Sequence, residues 1–236
     1  MDTSSSDTQP KRPTAPFLVA HRAGNDLGRL RDAEHQGVRM IEADVQIRRG
    51  RPEVRHARRL GLLPVYWDEG RLDATRRKTM LLDDLLTSLS PATELLLDLK
   101  GGDRRLPERV LGAVSRFAGE RRISVCARRW ELLEPFGEEK RVPTLYSVGT
   151  QPELAAFLAR RREQRAAGVS IRESLVDHSV IARLRAAADV VLCWTVNCPS
   201  RARRLAGLGV DGLTTDDVSL LRAAVEQAPA ELSVAA

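Results

Sequence analysis

Aromatic side chains are scarce: Phe, Trp and Tyr together make up 4% of the 236 residues. Proteins that hold single-stranded nucleic acid depend on such rings to stack bases. The basic clusters, 48–51, 76–78, 160–165 and 201–204, are also scattered along the chain rather than gathered in one stripe. A specific nucleic-acid partner is therefore disfavoured. No run approaches the roughly 18 apolar residues of a membrane span, which excludes a transmembrane segment. The start, Met-Asp-Thr-Ser-Ser-Ser-Asp, has neither the basic region nor the apolar core of a secretory signal, so a cytoplasmic address is expected. Cysteine is limited to Cys126, Cys193 and Cys198, an odd number without metal-ligand spacing, which reads as reduced packing thiols. Lysine is limited to Lys11, Lys78, Lys100 and Lys140, so arginine carries most of the net charge of +6, a mild bias toward anionic partners. Nothing in the sequence sets an oligomeric state.

What is present is enough for a core: 42% hydrophobic and 30% charged residues describe a globular chain. Residues 1–15 read as a disordered leader, 16–225 as one domain and 226–236 as a flexible tail. Short β-rich runs are expected at 17–22, 40–47, 94–100, 122–127, 143–148, 168–173, 190–197 and 210–215. Between them lie segments of helical spacing, such as Val110, Leu111, Val114 and Phe117. Strand-helix repetition means a parallel sheet. Both a closed barrel and an open doubly wound sheet fit, but no Gly-x-Gly-x-x-Gly loop follows the first strand. The eight runs favour an α/β fold of the (β/α)8 TIM-barrel type. The irregular stretch 53–80 is expected to form a hairpin and an excursion over one mouth.

Alternation of side chains along a strand separates two chemistries. In 40–47, Ile41, Ala43, Val45 and Ile47 share a face that must meet helices, which turns Glu42 and Asp44 into the barrel. In 94–100, Leu95, Leu97 and Leu99 point outward, and Asp98 and Lys100 point inward at the end where barrel active sites lie. A structural ion-pair network is one reading of these groups. Burying so many charges is costly, however, and three carboxylates with no Cys or His cluster suit a hard divalent cation, Mg²⁺ or Ca²⁺. His21 closes the first strand beside Arg22, and His56 lies where the hairpin would return to the same mouth. His35 and His178 belong to helical segments and read as solvated.

Six blocks in order, Leu18-Val19-Ala20-His21-Arg22, Ile41-Glu42-Ala43-Asp44-Val45, His56, Asp98-Leu99-Lys100, Trp194-Thr195-Val196-Asn197 and 209–216 (Gly-Val-Asp-Gly-Leu-Thr-Thr-Asp), resemble the glycerophosphodiester phosphodiesterase family over about residues 17–224. The resemblance implies a TIM barrel, a divalent cation and hydrolysis of a small-molecule phosphodiester to glycerol 3-phosphate and an alcohol. It implies metal ligands at Glu42, Asp44 and Asp98, acid-base catalysis by His21 and His56, and substrate contacts from Arg22, Lys100 and Trp194. Asn197 and Asp216 are given no role.

The sequence also departs from the family pattern. Ala23 replaces the glycine after His-Arg, the Pro-Glu-Asn-Thr segment that follows is missing, and Ala57 replaces an Asp. Arg49-Gly50 stands for an Asp-Gly turn, and Asp98 for a glutamate ligand. Asn25 and Asp26 could partly replace the acidic group of the missing segment. Related chemistry on a lysophospholipid-type ester, as a phosphodiesterase or a lyase, and a non-catalytic anion-binding barrel are the alternatives at this point.

Overall fold

The computed structural model describes residues 15–56, 58–59, 66–68, 71–73, 79–161 and 164–226, with side chains described outside 57–78. Eight parallel strands form the barrel: β1 (Phe17–Ala20), β2 (Met40–Arg48), β3 (Glu94–Leu99), β4 (Ile123–Ala127), β5 (Thr144–Val148), β6 (Ala166–Arg172), β7 (Ala188–Trp194) and β8 (Gly212–Thr215). Each pairs with its sequence neighbours, and β1 closes the ring by pairing with both β2 and β8. All eight expected strands are present, with ends shifted by up to three residues. The helices are α1 (Leu27–His35), α2 (Leu82–Ser88), α3 (Arg105–Val114), α4 (Gln151–Arg160), α5 (His178–Ala187), α6 (Pro199–Gly207) and α7 (Val218–Glu226). After β4 a 3₁₀ run, Trp130–Phe136, takes the helix position. Pro135 lies inside that run and cannot donate the backbone hydrogen bond an α-helix would need. Among the described residues, no helix is long and apolar enough to cross a membrane.

The alternation of β2 and β3 produces two kinds of packing. Ile41, Ala43, Val45, Leu95, Leu97 and Leu99 join the layer shared with the surrounding helices. Inside the barrel, Val19, Met40, Leu96, Cys126, Leu145 and Leu192 form a separate apolar layer, joined by Phe17 and Val190. This layer is the floor on which the polar end of the barrel rests, and opening a Leu96-sized hole in it would cost about 2–5 kcal/mol. Cys126 and Cys193 are buried and Cys198 is half-buried, all three unbridged.

β2 continues into a hairpin. Arg49 and Gly50 both have left-handed backbone, φ 48° and 78°, the type I′ geometry that matches strand twist. Arg51–Val54 then returns antiparallel to β2, and Met80–Leu81 pairs with it in turn. Arg58–Arg59, Tyr66–Asp68 and Arg71–Asp73 make a separate three-stranded antiparallel sheet. The rest of the expected excursion lies outside the described residues, as do the tail beyond 226 and the leader before 15.

Candidate active site at the C-terminal mouth

Parallel register sets Asp44 of β2 opposite Asp98 of β3. One carboxylate oxygen from each of Glu42, Asp44 and Asp98 lies within 4.8 Å of the other two. Glu42 and Asp44 are 4% and 1% exposed, so water screens little of their mutual repulsion. The protein answers it with polar ties. Arg22, in left-handed backbone at φ 54°, donates its amide to Glu42 Oε2 at 2.7 Å. Such a backbone costs a bulky residue about 1–2 kcal/mol, and the turn it makes explains why Ala23, which does not need it, can stand where glycine was expected. Asn25 grips Asp44 twice, accepting from its amide at 2.8 Å and donating to Oδ2 at 2.7 Å. Asp26 instead caps α1 through the amides of Gly28 and Arg29, so it lends no charge to the cluster.

Lys100 Nζ lies 3.1 Å from Asp44 Oδ1 and also donates to Asp98 Oδ2. Burial alone would discourage its charge, but Asp98, Asp44 and Glu42 together hold Lys100 protonated far into the alkaline range. Asp44 is likewise held below the usual carboxylate range: burial works against ionisation, but Lys100, Asn25 and His56 outweigh it. Glu42 is the opposite case. Burial first, then the charges of Asp44 and Asp98, push its carboxyl well above the ordinary value. Asp98 is also raised, by burial, and its buried Oδ1 has no hydrogen-bond partner. An all-oxygen set with surplus negative charge and an orphaned buried oxygen fits a hard divalent cation.

Two of the four histidines reach this cluster's mouth. His21, at the end of β1, shares a 2.7 Å hydrogen bond between Nδ1 and Asp216 Oδ1. A carboxylate only accepts, so Nδ1 carries the proton and Nε2 is the basic nitrogen. Asn197 holds Asp216 in place: its Nδ2 donates to Asp216 Oδ2 at 2.6 Å, and its Oδ1 accepts from the Asp216 amide and the Thr215 hydroxyl, each at 3.0 Å. The His21 pKa is lowered, chiefly by burial and further by Arg22, while Asp216 opposes the shift. His56 follows the hairpin, where the Arg55 amide bonds Asp44 O at 2.9 Å. Gln46 Nε2 donates to the carbonyls of Arg55 and His56 at 3.1 and 3.0 Å. Arg22 Nη2 lies 2.8 Å from His56 Nε2; guanidinium only donates, so Nε2 accepts in this contact. His35 and His178 are exposed, at the last residue of α1 and the first of α5.

A cavity of about 1040 Å³ joins these groups: His21, Arg22, Glu42, His56, Asp98, Lys100 and Trp194 all line it, and Asp44 reaches them through Lys100. The Trp194 indole donates to Ser170 O at 3.0 Å and lends its ring to the wall. Every residue singled out as a site candidate is thus assembled at one mouth. Asp216, Asn197 and Gln46 were missed as supporting groups, and Asn25, expected as a partial replacement for an acidic group, instead holds Asp44. Ring closure offered a signal for the first, because the end of β8 must lie beside the end of β1, where His21 stands.

Residues 97–220 match the Glycerophosphoryl diester phosphodiesterase family. Among curated proteins, no sequence match accompanies it. Solved structures share the fold. A candidate glycerophosphoryl diester phosphodiesterase of Silicibacter pomeroyi superposes with a TM-score of 0.76 at 21% identity, over 91% of this chain and 94% of that one. An Oleispira antarctica phosphodiesterase, solved in complex with the product sn-glycerol-3-phosphate, gives 0.76 at 20% identity, over 90% and 98%. The glycerophosphodiester phosphodiesterase of Thermotoga maritima gives 0.71 at 19%, over 88% and 97%. With more than half of its length matched, the chain belongs to the glycerophosphoryl diester phosphodiesterase family and is an enzyme of that class, a hydrolase of phosphoric diesters.

Proposed function

We propose that the protein hydrolyses glycerophosphodiesters to glycerol 3-phosphate and an alcohol, with a divalent cation and two histidines. One observation carries the reading: three carboxylates, two buried and Asp98 half-buried, converge within 4.8 Å at the mouth that His21 and His56 share. Glu42, Asp44 and Asp98 would hold the cation, Mg²⁺ or Ca²⁺, which when bound polarises the phosphoryl group and offsets negative charge as it develops. Arg22 offers a planar fork and Lys100 a point charge to the phosphate oxygens. The substrate's own glycerol hydroxyl is the nucleophile. His21 Nε2, the free basic nitrogen, takes its proton as the oxygen closes on phosphorus, and His56, protonated and released from Arg22 when substrate engages the guanidinium, delivers its proton to the departing alcohol. A cyclic glycerol phosphate results, and water opens it with the two histidines in exchanged roles. Asp216 steadies the imidazolium that His21 becomes, and Trp194 offers its ring to the glycerol or alcohol carbons.

The test is release of glycerol 3-phosphate from a glycerophosphodiester by the purified full chain. Activity should vanish in excess chelator and return with Mg²⁺ or Ca²⁺. Full turnover in chelator by protein free of metal would refute the cation and leave the phosphate to Arg22 and Lys100 alone.

A further inference from the structure

The mouth is electrically lopsided. Its acidic cluster and both histidines belong to the β1–β3 side and the adjoining hairpin. Across the cavity, the ends of β4 to β7 contribute Arg128, Arg129, Arg172 and Trp194 to the lining, and among the described residues no carboxylate lines that side.

The backbone makes room for these arginines. A Cβ on Gly102 would lie 1.9 Å from Arg129 Nη1, and one on Gly149 would lie 3.0 Å from Arg128 Cζ and 3.2 Å from the Trp194 ring. A side chain at either position would push a guanidinium out of place. Arg128 and Arg129 are anchored from behind, by Glu153 and Glu131 at 2.7 Å each, and neither of these acids reaches the cavity. Arg172 differs from both. Its neighbour in sequence, Glu173, is taken by Arg201 at 2.6 Å, and Arg172 instead stacks 5.4 Å over the Trp194 ring. Stacking fixes the plane of a guanidinium while leaving its N–H edge available to an oxyanion.

We propose that this arginine wall selects diesters whose alcohol carries a further phosphate, and disfavours those whose alcohol is cationic. The inference rests on the phosphodiesterase reading above. Every substrate of that class shares a glycerol half with no charge beyond the diester, so a wall that reads charge reads the alcohol. Three arginines around one recess set up a positive field there. A terminal phosphate can take a bidentate guanidinium bond, whereas a quaternary ammonium meets only repulsion from all three.

Three diesters of glycerol 3-phosphate test this, differing only in the alcohol: 2-phosphonooxyethyl, 2-hydroxyethyl and 2-(trimethylammonio)ethyl. The first should exceed the third in kcat/KM by on the order of 10², with the gap narrowing as salt rises. In Arg172→Gln, the ratio of phosphorylated to neutral substrate should fall about tenfold, mainly through KM, the share expected of one charge-assisted contact. Arg203→Gln, on the exposed face of α6, should leave the ratio as it is. Equal rates on all three diesters, or a preference for the cationic one, would overturn the inference while leaving the phosphodiesterase reading intact. If none is hydrolysed, that reading falls. The charge preference is then decided by calorimetric titration with the phosphorylated and cationic diesters, where equal affinity overturns it and tighter binding of the first, lost in Arg172→Gln, supports it.

Discussion

Replacing Glu42 by Gln asks whether the acidic cluster is built to take a positive charge. The amide keeps an oxygen for the Arg22 N–H and removes only the charge. With ligand atoms no more than 4.8 Å apart, ionised Glu42 is repelled by Asp44 and by Asp98 by about 3 kcal/mol each at an effective dielectric constant near 20. Lys100 offsets roughly one of these. Burial adds to what remains, so the carboxyl keeps its proton well above the ordinary range. At any pH between its unfolded and folded pKa values, the native chain therefore binds a proton that the unfolded chain has released, and stability falls as pH climbs through that window. In chelator at pH 8, Glu42→Gln should outlast the wild type by about 3 kcal/mol, or roughly 6–12 °C for a chain of this size. At pH 5 the two should nearly coincide. A cation at a thousandfold excess over its Kd stabilises the wild type by about 4 kcal/mol, enough to reverse the order, and should do little for the variant. Calorimetric melts at both pH values, with chelator and with Mg²⁺ or Ca²⁺, decide the matter. A variant that melts below the wild type at pH 8 in chelator would mean that the protein alone satisfies the charge of Glu42, and the reasoning would fail.

Changing His21 or His56 to Ala should each lower turnover by on the order of 10² to 10⁴, the usual share of general acid-base catalysis, while the cation still raises the melting temperature. The same change at exposed His35 or His178 should stay within a few-fold; near-normal rates without His21 or His56 would remove the proposed proton carriers. Asp216→Asn should cost about 10- to 10²-fold in kcat. Because Asp216 raises the His21 pKa against burial and Arg22, its loss should also move the acid limb of the kcat/KM profile to lower pH, and a shift to higher pH would contradict the pairing. Asn25→Ala strips Asp44 of two hydrogen bonds and should weaken cation affinity by about 10- to 100-fold, measured by titration calorimetry.

The barrel was legible because each strand carries its own label, a short apolar run followed by helical spacing. Alternation along β2 and β3 then told which carboxylates faced inward, without any knowledge of neighbours. Support for those groups was not legible in the same way. His21 and Asp216 stand 195 positions apart, and only closure of the ring makes them adjacent. Asn25 read only as a stand-in for a lost acidic group, because an Asn after a strand has many ordinary uses and nothing in the sequence points it at Asp44. The arginine wall was hidden for a different reason: Arg128, Arg129 and Arg172 come from separate strand ends, and in a chain rich in arginine each looks like solvated surface. Gly102 and Gly149, which give two of them room, carry no sequence signal of what they accommodate.

The apolar floor of Val19, Met40, Leu96, Cys126, Leu145 and Leu192 has a consequence for traffic. Among the described residues it closes that end of the barrel, so in the proposed reaction substrate, water, alcohol and product would share the mouth above it. Between the two halves of the proposed reaction, the departing alcohol must clear that mouth before water can replace it. Any small alcohol waiting outside competes for the same vacancy, and at high concentration it would divert the cyclic phosphate into a new diester. The ratio of transfer to hydrolysis thus becomes a gauge of how quickly the cavity exchanges its contents.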